Sequence, residues 1–251
     1  MSKGTLLLVP NTLDFGVAEV ELQEVLPLGV IRRAAALAHW VAEDARSARA
    51  FLKRVDAVVA LAQPLQATEI RELPRPRKGS REPVPAAEWH ALLQPALAGK
   101  DIGLISEAGL PAVADPGARL VEAAHAAGVP VLPLAGASSL LLALAASGLN
   151  GQSFAFVGYL PQEPGPRTAR IRELEALSQR LRQTQLIIET PYRNAALMAA
   201  LTTALASTTR LSVSCGLTLA EGWNRCDSVA GWRTRPASLP DRVPAVFALL
   251  A

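Results

Sequence analysis

The chain contains, at residues 102–117, the sequence IGLISEAGLPAVADPG. Its first four residues are apolar and typical of a buried strand, and Asp115-Pro116 favours a helix start, so the pattern predicts strand, loop and helix. Gly109 and Gly117 permit close approach of the backbone, and free N–H groups at the helix start could hold a carboxylate or a phosphate. An ordinary connection between a strand and a helix would have the same spacing, so the pattern alone leaves both interpretations open.

The same alternation of strand and helix continues on both sides of this stretch. It predicts an α/β fold with an open, mostly parallel sheet in the first part of the chain. Turn-forming residues cluster at 147–151, with the sequence SGLNG, and indicate a domain boundary. We therefore expect domains at residues 1–148 and 149–251.

Composition limits the class of protein. The chain has 251 residues, half of them apolar, and a formal net charge of +3. This length predicts one large or two medium domains, and the apolar content excludes wholesale disorder. The small positive charge is only a weak indication of acidic partners.

Cysteine usage and hydropathy indicate the compartment. Cys215 and Cys226 cannot form a disulfide framework and lack zinc-ligand spacing with the histidines, so we expect a reducing cytoplasm and no metal. Only five apolar residues precede Pro10, so no signal peptide is predicted. Prolines and Gly136 divide the uncharged stretch 129–150 into strand, turn and helix, which argues against membrane insertion.

Common nucleotide and nucleophile motifs are missing from the sequence. It has no G-x-G-x-x-G after a strand, no G-x-x-x-x-G-K-[ST] and no G-x-S-x-G. These absences argue against an NAD-type Rossmann site, a P-loop and a hydrolase elbow.

Four segments, in order along the chain, carry a family resemblance. Residues 105–121 resemble S-D-A-G-x-P-x-x-x-D-P-G-x-x-L-V, and residues 131–140 resemble V-x-P-L-P-G-P-S-A-L. Residues 154–161 resemble F-x-F-x-G-F-L-P, and residues 42–49 resemble A-E-D-T-R-x-T-R. These signatures are similar to those of the bacterial small-subunit ribosomal RNA cytidine 2′-O-ribose methyltransferases, within the tetrapyrrole-methylase superfamily of class III S-adenosylmethionine-dependent enzymes. The resemblance implies two α/β domains, a mixed sheet in the second, a cofactor cleft between them, and a homodimer.

Other motifs of that family are altered here. The exit of the first strand, P-T-P-I-G-N in the family, is PNTLDFG at residues 10–16. Y-E-A-P-H-R appears as IETPYR at 188–193, R-E-L-T-K is reduced to CGLTL at 215–219, and IRELPR at 70–75 replaces an H-E-H-N patch. The motifs implied to bind the cofactor are closer to the family pattern than those implied to bind the acceptor. The chain therefore resembles a divergent paralogue.

The resemblance implies a binding site for S-adenosylmethionine. Small side chains and backbone groups would admit the adenine and ribose, and N–H groups at helix starts would hold the carboxylate. The residues implied to contact the cofactor are Pro10, Ser106, Glu107, Ala108, Gly109, Val113, Ser138, Ser139, Glu189, Thr190, Leu217, Pro244 and Ala245.

Glu43 and Asp44 are the candidate catalytic residues. A ribose hydroxyl acceptor would gain from a nearby base, and both carboxylates are expected at the end of a strand. The alternative is structural: Asp44 caps a helix, and Glu43 pairs with Arg46 or Arg49.

A basic, proline-rich stretch at 71–81 is the candidate RNA contact. With Arg46, its residues Arg75, Arg77 and Lys78 are predicted to bind the substrate through phosphates. The alternative is a solvated loop. We interpret a second basic stretch, at 167–182, as the solvated face of a helix, because Ile171, Leu174, Leu177 and Leu181 form an apolar stripe.

The sequence therefore predicts an S-adenosylmethionine-dependent methyltransferase that acts on a ribose 2′-hydroxyl of ribosomal RNA. One alternative is methylation of a tetrapyrrole or another small molecule. The other is a paralogue that has lost catalysis and binds only cofactor or nucleic acid.

Overall fold

The computed structural model of the protein describes residues 2–14, 20–76 and 83–251. Contacts between Cα atoms divide the chain into two units, Met1–Ala137 and Ser138–Ala251. This division falls before the predicted boundary at residue 148. The reason is that the helix Ser139–Ser147 packs on strands of the second sheet.

The first unit alternates strands and helices. Its elements are β1 (Leu6–Leu8), α1 (Leu22–Val25), α2 (Leu28–Ala35), β2 (His39–Ala42), α3 (Ala45–Val58), a 3₁₀ turn (Leu65–Ala67), β3 (Glu69–Glu72), α4 (Ala86–Leu92), α5 (Gln94–Leu97), β4 (Ile102–Ile105), α6 (Ala118–Ala126) and β5 (Val131–Pro133). The strands form one sheet in the order β3-β2-β4-β1-β5, and every pair is parallel.

Alternating side chains place this sheet between two apolar layers. Trp40 packs with helices α2 and α3. Its ring lies edge-to-face on that of Phe51, with 6.3 Å between the ring centroids. The next residue, Val41, points to the opposite face and packs in a cluster with Trp89 and Leu120. All four residues of β4 are buried, as expected for a parallel strand covered on both faces.

The second unit has a different sheet. Its elements are α7 (Ser139–Ser147), β6 (Phe154–Gly158), α8 (Pro164–Leu181), β7 (Thr184–Ile188), a 3₁₀ turn (Pro191–Arg193), α9 (Asn194–Ala204), β8 (Arg210–Cys215), β9 (Trp223–Ser228), α10 (Val229–Thr234) and β10 (Ala245–Leu250). The order is β6-β7-β10-β8-β9, with β6 and β7 parallel and the other pairs antiparallel.

Strand β10 shows how the second core is organised. Phe247 and Leu249 pack in a cluster that includes Leu174 of α8 and Leu201 of α9. Val246 and Ala248 face the other side, in a cluster with residues of α7. The parallel first sheet and the mixed second sheet confirm the predicted architecture of two α/β units.

Candidate cofactor and acceptor site

The carboxyl ends of three neighbouring strands bring together the predicted residues of the first unit. Pro10 follows β1, Glu43 follows β2, and Ser106 follows β4. Strand β4 lies between β2 and β1, so the three exits are neighbours at one edge of a parallel sheet. Ligands of parallel α/β sheets bind at this edge.

The loop after β4 is joined to the exit of β1. The N–H of Asn11 donates to the carbonyl of Gly109 at 2.9 Å, and the N–H of Gly109 donates to the carbonyl of Thr12 at 3.4 Å. Gly109 has φ +70°, a conformation that favours glycine. A Cβ at position 109 would lie 3.3 Å from Leu13 Cδ2 and 3.4 Å from the Ala137 carbonyl oxygen. The sequence analysis predicted Gly109 as a cofactor contact but did not single out Asn11 as a residue of this site.

Three carboxylates, of Glu43, Asp44 and Glu107, lie at the same edge. The backbone N–H of Glu107 donates to Oε2 of Glu43 at 3.3 Å. Desolvation, together with the negative charges of Glu43 and Asp44, raises the pKa of Glu107 above its usual value. The edge therefore carries a negative electrostatic field, which Arg75 partly offsets.

Asp44 caps helix α3, as one of its two predicted roles requires. Its Oδ1 accepts from the N–H of Ser47 at 2.8 Å and from the Ser47 hydroxyl at 3.0 Å. These hydrogen bonds hold the pKa of Asp44 below its usual value. A carboxylate that is stabilised in its charged form is a weaker base, so Glu43 is the stronger candidate.

Asp115 fixes the shape of the loop that displays Val113. Its Oδ1 accepts from the N–H of Ala112 at 3.0 Å and from the N–H of Gly117 at 2.6 Å. Desolvation raises the pKa of Asp115 despite these hydrogen bonds. Val113, a predicted cofactor contact, is 45% exposed and so remains accessible to a ligand.

The predicted residues of the second unit meet at one end of its sheet. Glu189 and Thr190 follow β7, Leu217 follows β8, and Pro244 precedes Ala245 at the start of the antiparallel strand β10. The N–H of Gly216 donates to the carbonyl of Pro244 at 2.9 Å. Five residues from three separated segments are thus gathered at one edge of this sheet.

The carboxylate of Glu189 is hydrogen-bonded to residues of its own segment. Its Oε1 accepts from the N–H of Thr190 at 2.7 Å, from the Thr190 hydroxyl at 3.2 Å, and from two nitrogens of Arg193 at 2.8 and 3.0 Å. Only 3% of the Glu189 side chain is exposed. Its main effect is therefore to fix the turn after β7.

Ser138 and Ser139 open helix α7. Ser138 is the N-cap residue with extended backbone, but its side chain makes no capping hydrogen bond. Leu140, which follows, packs against the same apolar cluster as Ile188 and Leu217. The helix start therefore lies near the end of the second sheet that carries the other predicted residues of this unit.

The predicted substrate residues are only partly described by the structure. Arg46, in the first turn of α3, and Arg75 are both exposed. Nη2 of Arg75 donates to the carbonyl of Glu43 at 3.0 Å. Arg77 and Lys78 lie outside the described residues. Arg71, in the same basic stretch, is used structurally because its Nη1 donates to the carbonyl of Ala91 at 2.8 Å.

Among the helices in the described ranges, none is both long and apolar enough to cross a bilayer. Within residues 2–14, 20–76 and 83–251, no group of three His, Cys, Asp or Glu side chains could hold a metal ion.

The fold defines a protein of two α/β units, the first with a parallel sheet and the second with a mixed one. Residues 45–221 match the family of Tetrapyrrole (Corrin/Porphyrin) Methylases, and the chain belongs to that family. It is 36% identical over 144 residues to the Ribosomal RNA small subunit methyltransferase I of Bacillus subtilis (strain 168), covering 57% of this chain and 48% of that protein. It is 39% identical over 120 residues to the protein of the same name from Mesorhizobium japonicum, covering 48% of this chain and 40% of that protein.

The match spans about half the length of these curated relatives. The likeness to one solved structure, in contrast, extends over the whole chain. The cobalamin synthesis related protein CobF from Corynebacterium diphtheriae superposes with a TM-score of 0.59 at 15% identity, over 100% of this chain and 98% of that one. At this identity the likeness concerns the fold alone.

Proposed function

We propose that the chain is an S-adenosylmethionine-dependent methyltransferase that methylates a ribose 2′-hydroxyl of RNA, in the small ribosomal subunit. The observation that carries the proposal is the placement of Glu43 beside the loop of residues 106–109 at the ligand edge of the first sheet. Membership of the tetrapyrrole methylases supports the reaction class, and the names of the bacterial relatives support the RNA acceptor.

The residues at this edge fit the cofactor. S-adenosylmethionine carries a sulfonium and an ammonium group, which the negative field around the exposed Glu107 carboxylate would attract. The backbone N–H of Ala108 has no acceptor among the described residues and is free to donate to a ligand. Gly109 adds no side chain that would crowd the loop. We therefore propose that Pro10, residues 106–109 and Val113 of the first unit bind this cofactor.

When bound, S-adenosylmethionine supplies a methyl group on a positively charged sulfur. Methyl transfer to a hydroxyl is mainly a matter of positioning, and the hydroxyl proton must leave as the new C–O bond forms. We assign that proton to Glu43. Its Oε2 is fixed by the Glu107 N–H, and its Oε1 makes no hydrogen bond within the described part of the chain.

Two arginines support an RNA acceptor at the same edge. Arg46 lies two residues after Asp44, and Arg75 contacts the backbone of Glu43. Both side chains are exposed, so they can reach phosphates on either side of a ribose that approaches Glu43. Arg77 and Lys78 would extend this contact.

The proposal is tested by binding and by methyl transfer. Calorimetry should give an affinity for S-adenosylmethionine of about 1 µM, which corresponds to roughly −8 kcal/mol. With labelled cofactor, unmethylated small-subunit RNA should become labelled at a 2′-O-methyl nucleoside. Label in a tetrapyrrole and none in RNA would support the small-molecule alternative. Tight cofactor binding with no transfer to either acceptor would support the alternative of lapsed catalysis.

We also propose a cytoplasmic homodimer. Cys215 and Cys226 are both free thiols, which suits a reducing compartment. The second unit exposes Leu141, Phe154 and Phe156 by 37–52%, an apolar surface that a second copy could cover. Light scattering should give twice the monomer mass of 26.5 kDa. A monomer at all concentrations would contradict this assignment.

A further inference from the structure

Asn11 lies in the exit of β1, where residues 10–16 depart from the P-T-P-I-G-N motif of the family. Asn11 is 7% exposed. Its side-chain Nδ2 donates to the carbonyl of Ser106 at 3.1 Å and to the carbonyl of Glu107 at 3.0 Å. Its Oδ1 accepts from the N–H of Thr12 at 2.9 Å. Every polar atom of this buried side chain is therefore used, and two of its bonds hold the loop after β4.

These two bonds set the direction of the N–H groups in that loop. A trans peptide is planar, so its carbonyl and the following N–H point in opposite directions. Fixing the Ser106 carbonyl on Asn11 turns the N–H of Glu107 away, and this N–H meets Glu43. Fixing the Glu107 carbonyl in the same way turns the N–H of Ala108 away from Asn11. That N–H has no acceptor among the described residues.

A second layer of contacts holds Thr12, the residue that follows Asn11. The Thr12 hydroxyl donates to Oδ1 of Asp14 at 2.6 Å. Arg54 of helix α3 donates to the Thr12 hydroxyl at 3.1 Å and forms an ion pair with Asp14 at 3.0 Å. Asp14 is 3% exposed, and a buried, hydrogen-bonded ion pair of this kind resists displacement. The exit of β1 is thus anchored to α3.

From these contacts we infer that Asn11 is a positioning residue, which holds the 106–109 loop so that the Ala108 N–H donates to the carboxylate or ribose of the cofactor. The inference rests on the proposed function, because it concerns the same cofactor site. It also explains how this chain keeps its cofactor loop in place although the family motif at 10–16 is altered.

The test uses S-adenosylhomocysteine as the probe, because it lacks the sulfonium charge. Asn11→Ala removes both donated bonds. Asn11→Asp keeps the shape and the acceptor for Thr12 but cannot donate to the two carbonyls. We expect both variants of the full chain to bind the probe about tenfold or more weakly, as the loss of two hydrogen bonds would suggest. Hydrogen exchange should become faster at the amide of Gly109 and stay unchanged at β7.

Thr184→Val is the matched control. Thr184 is fully buried in the second unit and loses one hydrogen bond, to the carbonyl of Asn150, so it tests the effect of general destabilisation. Its affinity for the probe should equal that of the parent. If the parent binds and the Asn11 variants bind equally well, the positioning role is wrong while the proposed function stands. If the parent does not bind the probe or S-adenosylmethionine, the cofactor assignment fails and the inference falls with it.

Discussion

The carboxylate of Glu43 accepts a hydrogen bond from the backbone N–H of Glu107 at 3.3 Å, although 64 positions separate the two residues in sequence. They meet because Glu43 directly follows β2 and Glu107 lies two residues beyond the end of β4, which pairs with β2. The bond fixes one carboxylate oxygen of Glu43 at the ligand edge of the first sheet. The other oxygen makes no hydrogen bond among the described residues, and in the proposed reaction it accepts the proton of the substrate hydroxyl.

The first prediction separates the two candidate bases. Glu43→Gln should lower kcat by about 10²–10⁴-fold, the usual contribution of a general base, while the KM for the cofactor changes little. Asp44→Asn should retain kcat and thermal stability, because asparagine caps a helix as well as aspartate does. Single-turnover methyl transfer to RNA measures both. A loss of rate confined to the Asp44 variant would assign the base to Asp44.

The second prediction concerns the cofactor loop. Gly109→Val places a branched side chain at a positive φ, within contact distance of Leu13 and the Ala137 carbonyl, and should abolish S-adenosylmethionine binding. Gly128→Val is the control because Gly128 also has a positive φ, +61°, while a Cβ there would meet only the flexible end of Lys3. Calorimetry should show binding in the Gly128 variant alone. Unaltered affinity in the Gly109 variant would move the site elsewhere.

The apolar, central parts of the fold could be predicted from the sequence. The predicted strand at 102–105 is β4, and the helix that follows it is α6. Two of the edge strands, β3 and β9, could not be predicted. β3, with the sequence EIRE, lies in the proline- and arginine-rich stretch 62–85, which is typical of a loop, and β9, with the sequence WNRCDS, has no apolar alternation. Both owe their strand structure to pairing, β3 with β2 and β9 with β8, which local pattern does not reveal.

The candidate site was predictable to a similar extent. Motifs placed Glu43 and residues 106–109 at strand exits, and the parallel sheet brings them together. The role of Asn11 was not visible, because its partners Ser106 and Glu107 lie 95 and 96 positions away. An asparagine shortly after a strand is typical of a turn, and only the tertiary contacts show that Asn11 binds the loop after β4.

The third prediction concerns pH and stability. The folded state raises the pKa of Glu107, so it binds this proton more tightly than the unfolded chain does. Ionised Glu107 therefore lowers stability at neutral pH, and this cost disappears as the pH falls through the usual range of a glutamate. Glu107→Gln should have a higher Tm than the parent at pH 7–8, and the difference should vanish near pH 4. A Tm difference that is constant across this range would contradict the shift.

Arg75 links the proposed base to the proposed RNA contact. Its guanidinium reaches the Glu43 carbonyl, but the side chain is largely exposed and retains donors for a phosphate. Each phosphate that a basic side chain neutralises releases bound counterions, so the number of contacts can be measured from the salt dependence of affinity. A phosphate-binding role and a solvated role for residues 71–81 therefore predict different slopes of log affinity against log salt.

The fourth prediction uses that difference. Replacing Arg75, Arg77 and Lys78 together with glutamine should weaken RNA binding and flatten the plot of log affinity against log salt by about two to three units of slope. Cofactor affinity should stay within about twofold, since separate sites usually perturb each other little. The control replaces Arg170, Arg172 and Arg180 of helix α8, where the buried face carries Ile171 and Leu174, and should keep the parent slope. An unchanged slope in the first variant would mean that the 71–81 stretch is solvated and that the RNA binds elsewhere.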